Sequence, residues 1–224
     1  MQQIAIYDMD KTITRWPTWT PFLLYAALTA APWRLVMLPV AGLLALAYAA
    51  KAIDRARLKE LTQAAMLGRS ISAARAQAMA ERFAGLVIKR GIYRKARAQM
   101  AADRAEGCRI VMATASFAFY AKEIAARLGM DDVIATKSVQ AADGRLRARI
   151  NGENCYGPAK LRMVEDWLRA RGWQRGDVRV RFYSDHVSDE PALGWADQAI
   201  AVNAHPRLRA LAAERGWQIT DWAQ

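Results

Sequence analysis

An apolar run closing on two carboxylates one residue apart, Ile4-Ala5-Ile6-Tyr7-Asp8-Met9-Asp10, dictates how this chain begins. In extended backbone residues i and i+2 point to the same side, so Asp8 and Asp10 face one substrate from the mouth of a single buried strand. One carboxylate placed there can attack phosphorus while the other handles the proton of the leaving oxygen. Five residues alone also read as an aspartate-rich turn closing a strand, and the remainder of the chain has to decide between the two.

Three later segments bear on that choice. Arg109-Ile110-Val111-Met112-Ala113 reads as a buried parallel strand after a helix that holds Lys95 to Glu106 and stops at Gly107. Thr114-Ala115-Ser116 follows at its carboxyl end. That end holds the site in open α/β sheets, and a hydroxyl with backbone N–H groups at a helix start suits a phosphate, although a simple helix cap looks the same. Asp143-Gly144 predicts a tight turn between strands near Ser138-Val139 and Leu146-Arg147. Lys160, just past Gly157-Pro158 in a helix reaching about Arg171, can neutralise charge at the strand ends or can simply be solvated. Val178 to Tyr183 then forms a strand that delivers Ser184-Asp185-His186-Val187-Ser188-Asp189 into a loop. Asp185 and Asp189, added to Asp8, make an oxygen-rich site suited to magnesium. With His186 and His205 as its only histidines, the chain is poorly equipped for a zinc cluster.

From Trp16 to Ala50 the only charged residue is Arg34. The stretch is apolar on every helical face, so it must be buried in something. Leu35 to Ala50 would extend roughly 24 Å as a helix, short of the roughly 30 Å of a bilayer core. Pro32 and Arg34 divide the stretch and Pro39 can bend its second half. Two readings stand. One is a hairpin dipping into one leaflet, with Trp16, Trp19 and Trp33 near headgroup level and the basic run from Lys51 against anionic lipid. The other is a helical pair buried inside the protein. After it, Asp54 caps a helix to about Leu67 and Ser72 a second to about Arg90, making an all-helical insertion of about 80 residues.

In 224 residues there is room for one domain with an insertion. Cys108 and Cys155 lie far apart without CxxC spacing, which excludes a disulfide framework and fits a reducing cytosol. Asp8, Asp10 and Lys11 interrupt any signal-peptide apolar region, so the catalytic part is expected inside the cell. The net charge of +12 is concentrated between Lys51 and Arg109, where 14 basic and 5 acidic side chains stand. Such a surface attracts anions generally. Nucleic acid is disfavoured, because no recognition motif or stacking aromatics accompany the basic residues.

Taken together, the Asp8–Thr12 motif, Thr114, Lys160 and Ser184–Asp189 resemble the four ordered motifs of the haloacid dehalogenase superfamily, across nearly the whole chain. The insertion resembles the helical C1-type cap of its phosphoserine phosphatase-like subfamily, and its apolar start resembles that of bacterial membrane-associated phosphatidylglycerophosphate phosphatases. The resemblance implies an α/β fold, with a Rossmann-like parallel sheet formed by 1–15 and 96–224 and a cap over 16–95. It implies Asp8 as nucleophile and magnesium ligand, Asp10 as general acid/base with its carbonyl on the metal, and Lys160 beside Asp8. Thr114, Ala115 and Ser116 would bind the phosphoryl group. Asp185 would complete the Mg2+ shell, and Asp189 would serve as water-mediated ligand or as partner of Lys160. The substrate class implied is a phosphomonoester, either a lipid phosphate at the cytoplasmic face of the inner membrane or a small molecule in the cytoplasm. Lys11, where relatives often carry glycine, and Ser188, where asparagine is common, depart from the pattern.

Overall fold

A computed structural model describes residues 1–223. Six strands run parallel: β1 (Gln2–Tyr7), β3 (Arg109–Phe117), β4 (Asp132–Gln140), β6 (Val178–Ser184), β7 (Gln198–Val202) and β8 (Gln218–Thr220). Two more, β2 (Ser70–Ile71) and β5 (Leu146–Asn151), are antiparallel to their neighbours, giving the order β2-β5-β4-β3-β1-β6-β7-β8. β1 is central and fully inside, which matches its apolar sequence. Alternate residues serve opposite faces. Ala5 and Tyr7 join Ile110 and Met112 in one core, while Ile4 and Ile6 join Val111 and Ala113 in the other.

Helices α5 (Arg94–Ala105) and α6 (Ala118–Arg127) contribute to the first core, and α7 (Pro158–Arg169), α8 (Glu190–Trp195) and α9 (Pro206–Glu214) to the second. The turn at Asp143-Gly144 joins β4 to β5 as expected, with Gly144 at φ +76°. Val133 pairs only with β3, because β5 takes up the other side of β4 from Lys137 onward.

Between β1 and α5 the chain makes a long excursion whose two crossings pair with each other. Arg15 N–H donates to Gly91 O at 2.7 Å and Tyr93 N–H to Ile13 O at 3.1 Å. The excursion comprises α1 (Trp19–Ala30), a 3-10 turn (Pro32–Met37), α2 (Leu38–Ala49), α3 (Arg55–Met66), β2 and α4 (Ala73–Arg90). Asp54 and Ser72 cap α3 and α4, accepting from the N–H groups of Arg57 and Arg75. β2 pairs with β5, an element that two residues of strand propensity could not announce.

The two arms of the apolar stretch have different fates. α1 buries Phe22, Leu23, Ala26 and Ala27 in the protein, with Phe22 stacked 4.6 Å from Tyr120. No residue of α2 is buried, and Leu43 and Leu46 are 66% and 67% exposed. The expectation of one medium for the whole stretch is corrected accordingly, and so is the position of Trp19, whose ring packs 5.0 Å from Phe117. Arg34 turns inward, donating to the Ala65 carbonyl at 3.0 Å near the carboxyl end of α3, where its charge complements the helix dipole.

Candidate active site

The strand-end aspartates are aimed by a single irregular turn. Asp8 remains extended and its N–H donates to Tyr183 O, continuing the β1–β6 ladder by one bond. Lys11 then adopts φ +62°, in the left-handed region where glycine is unstrained. That conformation explains the physical demand at a position where glycine is common, and Asn203 Nδ2 fastens it by donating to Lys11 O at 3.1 Å.

Lys160 is 2% exposed and donates to Asp8 Oδ1 at 2.7 Å and Asp189 Oδ2 at 2.6 Å. It reaches them because α7 begins immediately after Gly157, whose φ of +59° turns the chain under the strand ends. Burial alone would lower the ammonium's pKa, but Asp189 and Asp8 outweigh it and hold the group charged far above neutral pH. Ser184 also donates to Asp189 Oδ2, at 2.7 Å, while Asp189 Oδ1 is buried without a partner. Of the two roles expected for Asp189, the geometry displays the pairing with Lys160.

Thr12 sits between two acids, its hydroxyl 3.3 Å from Asp8 Oδ2 and 3.4 Å from Asp185 Oδ1. Both carboxyls are pushed upward, Asp8 to about 6 and Asp185 to about 8. Burial is the main cause in each, and at Asp185 the charges of Asp8 and Asp189 add to it. A cation between Asp8 and Asp185 would relieve that cost. Among the described residues no three His, Cys, Asp or Glu side chains cluster as a metal cage. Magnesium does not require one, since one or two carboxylates and retained water satisfy it. The donor set therefore fits this ion.

Asp10 is held differently. Its Oδ1 accepts from the Thr18 N–H at 2.8 Å and hydroxyl at 2.7 Å, and its Oδ2 from Ser116 Oγ at 3.1 Å. Tyr120 donates to Ser116 Oγ at 2.6 Å, closing a small network. Thr18 and Tyr120 escaped the sequence reading because their partners lie far along the chain and neither belongs to a motif. Thr114 is buried and its hydroxyl accepts from Ser116 N–H at 3.1 Å. β3 continues through these residues to Phe117 with a pairing irregularity between Thr114 and Phe117, where a bulge re-aims side chains.

Lys59 was also missed. It extends from α3 to the Ala115 carbonyl and to Asn154 Oδ1, at 2.9 Å for the latter, so the excursion touches the phosphate-facing loop directly. Burial, then Arg55, lowers its pKa to about 7. A cleft of ≈ 250 Å³ collects Asp8, Asp10, Thr114, Ala115, Lys160, Asp185 and Asp189, with Arg55 and Tyr156 also lining it. His186 folds back on its own loop, its Nδ1 accepting from Ser188 N–H at 3.1 Å.

Comparison with known proteins gives this geometry a context. A structure of a protein of unknown function from Bordetella pertussis Tohama I superposes with a TM-score of 0.87 at 26% identity over 99% of both chains. A phosphoserine phosphatase captured as a phospho-aspartyl intermediate analogue superposes at 0.64, with 14% identity, over 100% of this chain and 94% of that one. In sequence, a phosphoserine phosphatase of Mycobacterium tuberculosis is 34% identical over 116 residues, 52% of this chain and 37% of the relative. A histidinol-phosphatase of Neisseria meningitidis is 28% identical over 95 residues, 42% of this chain and 43% of that protein. The chain thus spans less than half the length of these sequence relatives. The profile of the haloacid dehalogenase-like hydrolases matches residues 5–194, and the chain belongs to that family.

Proposed function

We propose that the chain hydrolyses phosphomonoesters in two steps through a phosphoryl group carried on Asp8. The supporting observation is the buried contact of Lys160 with Asp8 at 2.7 Å, beside an Asp10 held by three donors. In the first step an Asp8 oxygen bonds to phosphorus, the bond from phosphorus to the ester oxygen breaks, and the Asp10 carboxyl gives that oxygen its proton. In the second, water attacks phosphorus, Asp10 takes a proton from it, and Asp8 leaves as carboxylate. Lys160 neutralises charge beside Asp8 throughout, and Thr114, Ala115 and Ser116 receive the phosphoryl oxygens. Asp189 anchors Lys160. Asp8, Asp185 and the Asp10 carbonyl would hold Mg2+, which supplies Lewis-acid stabilisation of the phosphoryl oxygens.

For the alcohol we propose a lipid such as phosphatidylglycerophosphate, presented at the cytoplasmic face of the inner membrane. Support comes from Pro32–Ala49, long and apolar enough by length and composition to cross a membrane and not buried in the protein. A second reading, a small soluble phosphomonoester in the cytoplasm, is favoured by the phosphoserine and histidinol phosphatases among the relatives. Magnesium-dependent phosphate release from phosphatidylglycerophosphate in mixed micelles, beside phosphoserine, with Asp8→Asn as control, separates them. Release from phosphoserine alone overturns the lipid reading, and equal release by the variant overturns the phosphatase itself.

A further inference from the structure

We infer that the groove between α1, α2 and α3 binds the alkyl chain of a phosphomonoester whose phosphate lies over Asp8. The inference rests on the phosphatase reading and names the part of the alcohol it selects. Three hollows run on from one another. The catalytic cleft shares Asp10, Pro17, Arg55 and Ala115 with a second hollow of ≈ 240 Å³. That hollow shares Trp19, Thr20 and Leu58 with a groove of ≈ 290 Å³.

Polarity falls along this path. Carboxylates and Lys160 line the first hollow, and Arg55 and Lys59 appear beside Trp19 and Leu58 in the second. The third is walled by Leu23, Leu24, Leu38, Ala45 and Met66. Its polar groups are already engaged with one another: the Thr62 hydroxyl donates to Leu58 O at 2.7 Å and receives the Trp19 indole N–H at 3.4 Å. An alcohol bearing hydroxyls, amines or carboxylates would be desolvated there without return. An aliphatic chain loses nothing on entering and removes apolar surface from water. Continuity with the cleft distinguishes this groove from an apolar dent awaiting a protein, because a chain lying in it leads back to phosphorus.

The test is a series of n-alkyl phosphates, butyl to dodecyl, each below its micelle-forming concentration, assayed by phosphate release from the full chain with magnesium. The expected result is a kcat/KM that rises about fourfold per methylene and then levels when the groove is full. Gly42→Trp adds a ring from α2 where a Cβ meets nothing within 4 Å, and it should flatten that dependence. Leu43→Ser, on an exposed position outside the groove, should leave the dependence as it is. Equal rates for butyl and dodecyl phosphate in the unaltered protein overturn the groove assignment while leaving the phosphatase intact, and so does an undiminished slope in correctly folded Gly42→Trp. Failure to hydrolyse any of these or p-nitrophenyl phosphate overturns the phosphatase reading, and the groove assignment with it.

Discussion

Thr18 spends both of its donors on one oxygen of Asp10, the backbone N–H at 2.8 Å and the hydroxyl at 2.7 Å. The start of the excursion is thereby tied to the strand-end turn, and the orientation of the Asp10 carboxyl depends on where α1 begins.

Thr18→Val removes the hydroxyl and keeps the backbone donor. Hydrogen bonds to charged groups contribute about 1.5–3 kcal/mol, so kcat should fall roughly ten- to a hundredfold with little change in KM. Thr18→Ser should restore most of it. Steady-state kinetics on p-nitrophenyl phosphate checks both, and an unaltered kcat in the valine variant would show that Asp10 is positioned by other means.

Lys160 and Asp8 should respond in opposite senses to neutralisation. Lys160→Met leaves two buried carboxylates facing each other, a defect that typically costs about 3–5 kcal/mol. Asp8→Asn relieves a carboxyl already pushed up to about 6 by burial, so its urea midpoint at pH 8 should not fall below that of the parent. Its phosphate release should drop by roughly a thousandfold or more. Urea titrations of the two variants at one pH provide the comparison.

Without metal, the raised Asp8 and Asp185 make the folded state bind more protons than the unfolded chain between the ordinary carboxyl value of 3.8 and their folded values of about 6 and 8. Stability therefore falls as pH rises across that window. Magnesium, which requires both carboxylates ionised, should raise Tm more at pH 8 than at pH 5. An identical shift at both values would count against a metal held by these two acids.

Lys59 acts in a higher window. Its folded pKa of about 7 lies below its ordinary 10.5, so the unfolded chain binds the extra proton between the two, and stability from this group rises with pH from about 7 to about 10. Lys59→Met should abolish that rise in chemical denaturation measured at pH 7, 8.5 and 10.

Local signals carried much of the fold. Gly107, Asp54, Ser72 and the Asp143-Gly144 turn each mark an element end through backbone chemistry that acts over a few residues, and the structure has those ends. The same holds for the strand runs at Ile4, Ile110 and Val180, where unbroken apolar sequence implies burial on both faces. What the sequence left open are contacts made across long separations. Thr18 with Asp10, Tyr120 with Ser116 and Lys59 with Ala115 each join a solvent-typical residue to a partner that only the folded arrangement brings near. The apolar stretch shows the converse limit, since composition marks both arms alike while α1 lies against the core and α2 does not.

The paired crossings at Ile13–Arg15 and Gly91–Tyr93 have an evolutionary corollary. They clamp the two ends of the excursion together, so its length scarcely burdens the parent sheet: a doubling costs only about 0.6 kcal/mol of closure entropy. Lineages can therefore lengthen, trim or exchange everything beyond that clasp while the strand-end carboxylates stay where they are. New leaving groups can be recruited by rewriting the appendage instead of the chemistry.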